Sequence, residues 1–308
     1  MLGAAGLAAP ALGAAEEPLE LLPLWPGLPP GAPVRLPHEE VIERAPPGGP
    51  HDRVAVAVAR PLLAVCRPRR PNGAAVLLIP GGAFVRVALD KEGLETGRWL
   101  AARGVTAFVL RYRLPGDGWH DRAQVPLQDA QRAMRVIRAG APRFSIDPAR
   151  LGVIGFSAGG HVAAMLSVSG ETPSYAPIDA IDRQPLRPLV AGLVYPVITM
   201  GPFAHPGSRD QLLGPAPSAA TLAAFSAEQR VGPSVPPTTL FHAGDDSTVP
   251  LDNSLLMYAA LRRARVPSEL HLFEEGGHGF GLRLPPTLAA SRWPDLFMAF
   301  AGRHGLTA

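Results

Sequence analysis

Short apolar runs punctuate the chain at Ala74 to Ile79, Val105 to Leu110, Leu151 to Gly155 and Leu189 to Val194. Each is too short for a helix and is apolar at consecutive positions, the mark of a strand buried on both faces. The first closes on Pro80-Gly-Gly82 and is expected at the centre of the sheet. Thr238 to His242 and Glu269 to Phe273 add two further strands. Helical periodicity fills the gaps at Glu92 to Arg103, Gln128 to Arg138, Asn253 to Arg265 and Pro294 to Arg303. This alternation predicts an α/β fold, a mainly parallel central sheet with helices on both faces. Val54 to Val58 alternates in the period of a strand and, with the run ending at Cys66 across Pro61, predicts a hairpin. Pro18 to Pro50 is proline-rich and reads as an extended arm, with regular structure starting after it.

Composition narrows the function classes. Of 308 residues, 47% are hydrophobic and 18% charged, which excludes disorder of the whole chain and allows a sizeable core. Gly 33 and Pro 36 without a three-residue period indicate many turns, not collagen. The net charge of +3 is mild, and Lys91 is the sole lysine. The densest basic run, Arg67-Pro-Arg-Arg70, lacks interleaved aromatics, so nucleic acid is not expected as a partner. Cys66 is alone, so no internal disulfide forms, and no His or Cys cluster has zinc-ligand spacing.

No apolar run reaches the ~20 residues that span a bilayer. Leu2 to Ala15 is nevertheless an unbroken run of Leu, Gly, Ala and one Pro, ending in small residues before Glu16. Residues 1–15 therefore resemble the core and cleavage site of a truncated export signal, although the first basic residue is Arg35. The expectation is a secreted or periplasmic protein, with the cytoplasm as the alternative, and one domain over residues 16–308.

The chemistry concentrates at strand ends. Gly155-Phe-Ser-Ala-Gly159 joins a strand to a helix in the G-x-S-x-G pattern of a nucleophile elbow, where side chains at the glycine positions would clash. A serine hydroxyl needs a base, and the base needs a group that orients it. Asp245 and Asp246 follow the strand at Thr238, and His278 follows the strand at Glu269 within a glycine-flanked loop. Ser157, an aspartate and His278 thus occur in the chain order of an α/β-hydrolase, with the two aspartates undistinguished by position alone. An oxyanion hole is expected from the N–H groups of Ala158 and of Gly82 and Ala83, the latter two in the Pro80-Gly-Gly-Ala-Phe84 loop. His161 and Asp129 are read as packing or capping groups outside the site. Trp119, His120, His205 and Arg209 lie in loops at strand ends where they could border a substrate.

With these motifs in place the chain resembles the α/β-hydrolase esterases related to acetylxylan esterases and other small carbohydrate esterases. The resemblance runs from Leu24-Trp-Pro-Gly27 through Tyr112-Arg-Leu-Pro115, Pro126-Leu-Gln-Asp-Ala-Gln131 and Gly155-Phe-Ser-Ala-Gly-Gly-His161 to Asp246-Ser-Thr-Val-Pro250 and Gly276-Gly-His-Gly-Phe280. It selects Asp246 over Asp245, because in that family the acid stands three residues before the Val of the Val-Pro pair, here Val249. The oxyanion loop departs from the family's HGGG form, with Pro80 and Ala83 at its ends. The resemblance implies hydrolysis of short acyl esters, acetyl groups on carbohydrate among them, through an acyl-enzyme and with no metal or cofactor. The expected partner is a small-molecule or carbohydrate ester. Rival readings are a serine peptidase of the prolyl-oligopeptidase type, a dienelactone-type hydrolase, and a binding protein without catalysis.

Overall fold

The apolar runs become the inner strands of one eight-stranded sheet. The computed structural model describes residues 19–307, so the export segment expected at residues 1–15 lies outside them. The strands of this sheet are β1 (Glu20–Pro23), β4 (Leu62–Cys66), β5 (Gly73–Ile79), β7 (Thr106–Arg111), β8 (Ile146–Phe156), β9 (Ala191–Val194), β10 (Thr238–Ala243) and β11 (Ser268–Phe273). Their order is β1-β4-β7-β5-β8-β9-β10-β11. The six strands from β7 onward run parallel, and β4 and β1 add an antiparallel edge. This is the α/β-hydrolase arrangement, and β5 sits in its interior between β7 and β8.

Period-two alternation decides which helices cover which face. Ala75, Leu77 and Ile79 join one apolar cluster with α2 (Val125–Ala139), α4 (Ser157–Ser169) and α7 (Asp252–Arg263). Ala74, Val76 and Leu78 point the opposite way, toward α1 (Glu95–Ala101) and α8 (Trp293–Arg303). The predicted helix at Glu92 to Arg103 starts instead as one wider π turn, Asp90–Leu94, before α1 takes over, and it buries the carboxylates of Asp90 and Glu92.

Two expectations need correction. The predicted hairpin does not form: β3 (Arg53–Val56) pairs with β2 (Glu40–Glu43) and β6 (Val87–Ala88) in a separate small sheet, while β4 pairs with β1 and β7. Ala57, with φ +50°, ends β3 in a left-handed turn, and the segment through Pro61 carries the chain to the other sheet. Alternation reports a half-buried strand but not its partner. The proline-rich arm, likewise, is not devoid of regular structure, because it supplies β1 and β2. A short edge strand tolerates proline where an inner strand does not, and Pro23 ends β1 at the outer edge.

The arm is also pinned to the body. Trp25 donates its Nε1–H to Asp129 Oδ1 at 2.8 Å, and the same carboxylate receives the fully buried Arg113 guanidinium at 2.8–3.0 Å. Asp129 is thus a structural ion-pair partner, consistent with its place outside the expected site. Three short helices had no sequence signal: α3 (Ala141–Phe144), α5 (Pro206–Leu213) and α6 (Ala219–Phe225), the last two capped by the side chains of His205 and Ser218. No helix among the described residues is long and apolar enough to cross a membrane.

Candidate active site

Strand β8 ends at Phe156, and the chain turns so sharply into α4 that Ser157 has φ +52°. Neighbouring backbone closes around this turn. A Cβ on Gly155 would meet the Gly159 carbonyl at 2.4 Å, and one on Gly159 would meet the Ile79 carbonyl at 2.1 Å, so only glycine fits at either position. The strained serine conformation is therefore held by packing on both sides. Ser157 is 7% exposed and lies at the carboxyl end of the sheet, and its hydroxyl does not cap the helix it starts.

The loop after β11 brings His278 to this hydroxyl, with Ser157 Oγ and His278 Nε2 2.9 Å apart. On the other side of the ring, His278 Nδ1 lies 2.7 Å from Asp246 Oδ2. The loop after β10 supplies Asp246, and its Oδ1 accepts the N–H groups of Thr248 and Val249 at 2.9 Å each. Burial pushes the Asp246 carboxyl upward, but hydrogen bonds from His242 and His278 outweigh it and hold the group ionised, well below the usual carboxylate range. The adjacent Asp245 faces elsewhere and accepts the Gly277 N–H at 2.8 Å, tethering the histidine loop.

A fourth group, His242, was not singled out by sequence. Its Nε2 lies 3.2 Å from Asp246 Oδ2 and 3.1 Å from the Val249 carbonyl. Since a carbonyl only accepts, Nε2 carries a proton, which is shared with the aspartate. Fully buried in β10, His242 looks in sequence like a core residue; its place four residues before Asp246 was the available signal.

The loop after β5 lies against Ser157, close enough that a Cβ on Gly81 would come within 2.7 Å of Ser157 Cβ. Its carbonyls turn inward: Gly81 O accepts from Ala88 N–H at 3.0 Å and Gly82 O from Val85 N–H at 3.1 Å. The N–H groups of Gly82 and Ala83 point the other way, and neither donates to a protein group among the described residues. Gly82 has φ +132°, with Arg86 O 2.2 Å from where a Cβ would stand, and Ala83 and Phe84 are also left-handed at φ +54° and +61°. Ala158, in the first turn of α4, has an N–H with no carbonyl partner within the helix. The structure therefore groups all six residues expected from sequence, Ser157, Asp246, His278, Gly82, Ala83 and Ala158. This grouping can attack a carbonyl carbon and hold the charge that develops on its oxygen.

A solved structure with the same architecture is the acetyl ester-xyloside bifunctional hydrolase of Caldicellulosiruptor lactoaceticus. The two chains are 33% identical, the match covers 94% of this chain and 97% of that one, and the TM-score is 0.77. This chain belongs to the α/β-hydrolase esterases. A BD-FAE family model matches residues 65–185, which hold the oxyanion loop and Ser157, and the prolyl oligopeptidase family model matches 214–301, which hold Asp246 and His278. The endo-1,4-beta-xylanase B of Butyrivibrio fibrisolvens is 36% identical over 66% of the chain, and the acetylxylan esterase of Xylanibacter ruminicola 31% over 70%. The esterase spans only 32% and 42% of the lengths of these two curated relatives.

Of the loop residues weighed as borders, His205 stands nearest electrostatically: burial and the charge of His278 lower its pKa. Trp119 is buried beside Arg113, His120 is exposed, and Arg209 is paired with Asp210. A cavity of about 730 Å³ near Trp25, Glu39 and Arg111 includes no member of the Ser157 group.

His161 in α4 holds the Phe225 carbonyl at the end of α6, 2.7 Å from its Nε2. Burial lowers its pKa to about 4, so it is neutral in the native esterase. The unfolded chain, with imidazole near pH 6.5, binds this proton first, so stability falls as pH drops from about 6.5 toward 4. His161 alone is expected to cost about 2 kcal/mol between pH 7 and pH 5. Urea denaturation at both pH values should show this loss in the wild type and a correspondingly smaller one in His161→Gln.

Proposed function

We propose that the esterase removes short acyl groups, acetyl foremost, from carbohydrate through an acyl-enzyme on Ser157. The observation that carries this reading is the continuous relay from Ser157 through His278 to Asp246, at 2.9 and 2.7 Å, beside the N–H groups of Gly82 and Ala83, which are unpartnered among the described residues. In this reading His278 takes the Ser157 proton as the hydroxyl attacks the ester carbonyl. The developing oxyanion is received by the N–H of Ala158 with that of Gly82 or Ala83. His278 then returns the proton to the leaving alcohol and activates the water that frees the acid. Asp246 keeps the ring in the tautomer with the proton on Nδ1 and stabilises its charged form.

Support for a short acyl group comes from the acetyl esters specified in the names of the Caldicellulosiruptor and Xylanibacter relatives. Support for a carbohydrate alcohol comes from the xylan- and xyloside-directed names of the relatives above. Hydrolysis of p-nitrophenyl acetate, butyrate and octanoate, with acetate release from acetylated xylan, tests the reading. kcat/KM is expected to fall by at least tenfold from acetate to octanoate, with acetate released from the polymer. Activity that rises with acyl length would overturn it, and cleavage of peptide amides ahead of esters would favour a peptidase of the prolyl oligopeptidase type.

A further inference from the structure

Glu92, in the π turn before α1, is 4% exposed, yet both of its carboxylate oxygens are engaged. Oε2 accepts the Gly81 N–H at 2.7 Å, and Oε1 accepts the Tyr195 O–H at 3.0 Å. Tyr195, at the end of β9, in turn accepts the Gly281 N–H at 3.1 Å. Gly81 directly precedes Gly82 and Ala83. Gly281 is three residues beyond His278, and the Tyr195 ring lies 5.0 Å from the His278 ring. Two segments distant in sequence, each delivering one part of the site, thus end on the same buried carboxylate.

The donor directions are fixed. A backbone N–H only donates, so Gly281 occupies Tyr195 as an acceptor and the phenol proton is directed to Glu92. Burial and the nearby Glu92 charge raise the Tyr195 pKa well above its usual value, which keeps that proton in place. Both oxygens of Glu92 must accept, a demand met by a carboxylate and not by an amide.

We propose that Glu92 is a positioning residue that, through Gly81 and Tyr195, holds the oxyanion loop and the His278 loop in register across Ser157. The role rests on the reading of Ser157, His278 and the oxyanion loop given above. Fixing the Gly81 peptide sets the direction in which the next two N–H groups face, and fixing Gly281 limits how far His278 can swing from Ser157. Neither bond touches substrate, so the contribution belongs to the transition state and not to substrate binding.

The test uses Glu92→Gln and Tyr195→Phe in the full chain, beside wild type and Ser157→Ala, with p-nitrophenyl acetate and a trifluoromethyl ketone that forms a tetrahedral adduct on the serine. Glu92→Gln keeps the volume but turns an NH2 toward either the Gly81 N–H or the Tyr195 hydroxyl. Its kcat is expected to fall about 10- to 100-fold, as for a misplacement on the order of 1 Å or less. KM should stay within about threefold, and the ketone Ki should rise by the same factor as kcat/KM falls. Tyr195→Phe frees only the histidine side and should lose about tenfold in kcat. A folded Glu92→Gln variant with wild-type kcat, or a loss confined to KM, overturns the proposal. If Glu92→Gln does not fold, Tyr195→Phe decides in the same way, with unchanged kcat overturning it. Ser157→Ala activity of a tenth of wild type or more overturns the reading of Ser157 itself and this proposal with it, a result distinct from serine-dependent turnover that ignores Glu92.

Discussion

Ser157→Ala is expected to lower kcat/KM for p-nitrophenyl acetate by about 10⁴-fold or more, leaving the fold intact. Removing Oγ deletes the attacking atom, and no other hydroxyl among the described residues is hydrogen-bonded to His278 Nε2. The oxyanion donors survive the change, so a weak residual rate over uncatalysed hydrolysis should remain. His278→Ala should fall to the same level. The double variant should lose no more than either single one, because hydroxyl and ring act as one unit. Initial rates with unchanged circular dichroism spectra provide the check, and a Ser157→Ala variant retaining a tenth of the activity would rule out the nucleophile assignment.

The second large effect separates two adjacent carboxylates. Asp246→Asn should cost about 10⁴-fold in kcat, because an amide facing His278 Nδ1 permits the tautomer whose Nε2 can no longer take the serine proton. The same substitution also sets an amide against His242, whose Nε2–H now shares the Asp246 carboxylate. Asp245→Asn keeps an oxygen able to accept the Gly277 N–H and should stay within about tenfold of wild type. Equal losses in the two variants, or the reverse order, would remove Asp246 from its role.

The parts most legible in the sequence were those fixed by local physics. β5 and the half of β8 from Leu151 onward announce themselves because a strand buried on both faces must be apolar at every position, and Gly155 and Gly159 because no other residue fits the turn. The strand partners of β3 and β4 were not legible. Their alternation is the same whether they pair with each other or, as here, lie in different sheets. β1 and β2 were hidden for a similar reason, since short edge strands carry little pattern and accept proline. Within the site, Asp246 could be chosen over Asp245 from sequence only through the family resemblance. Position alone did not divide them, whereas the turn that gives Asp246 the Thr248 and Val249 N–H groups does. His242 and Glu92 escaped notice because their significance lies in contacts across the chain. Glu92 meets Tyr195, 103 residues later, and nothing local to either residue marks that meeting.

The order in which the chain delivers its parts has a consequence for synthesis. Ser157 is made first, but its histidine partner comes 121 residues later, and the loop of that histidine is held through Gly281, whose carbonyl accepts the Trp293 Nε1–H of α8 at 2.8 Å. A polypeptide emerging from the ribosome therefore displays the Ser157 hydroxyl without its imidazole until β11 is laid beside β10 and α8 docks. In this reading ester cleavage begins only once the stretch from Ser157 to α8 has been made and folded, so the first turnover in a translation mixture marks the docking of that helix.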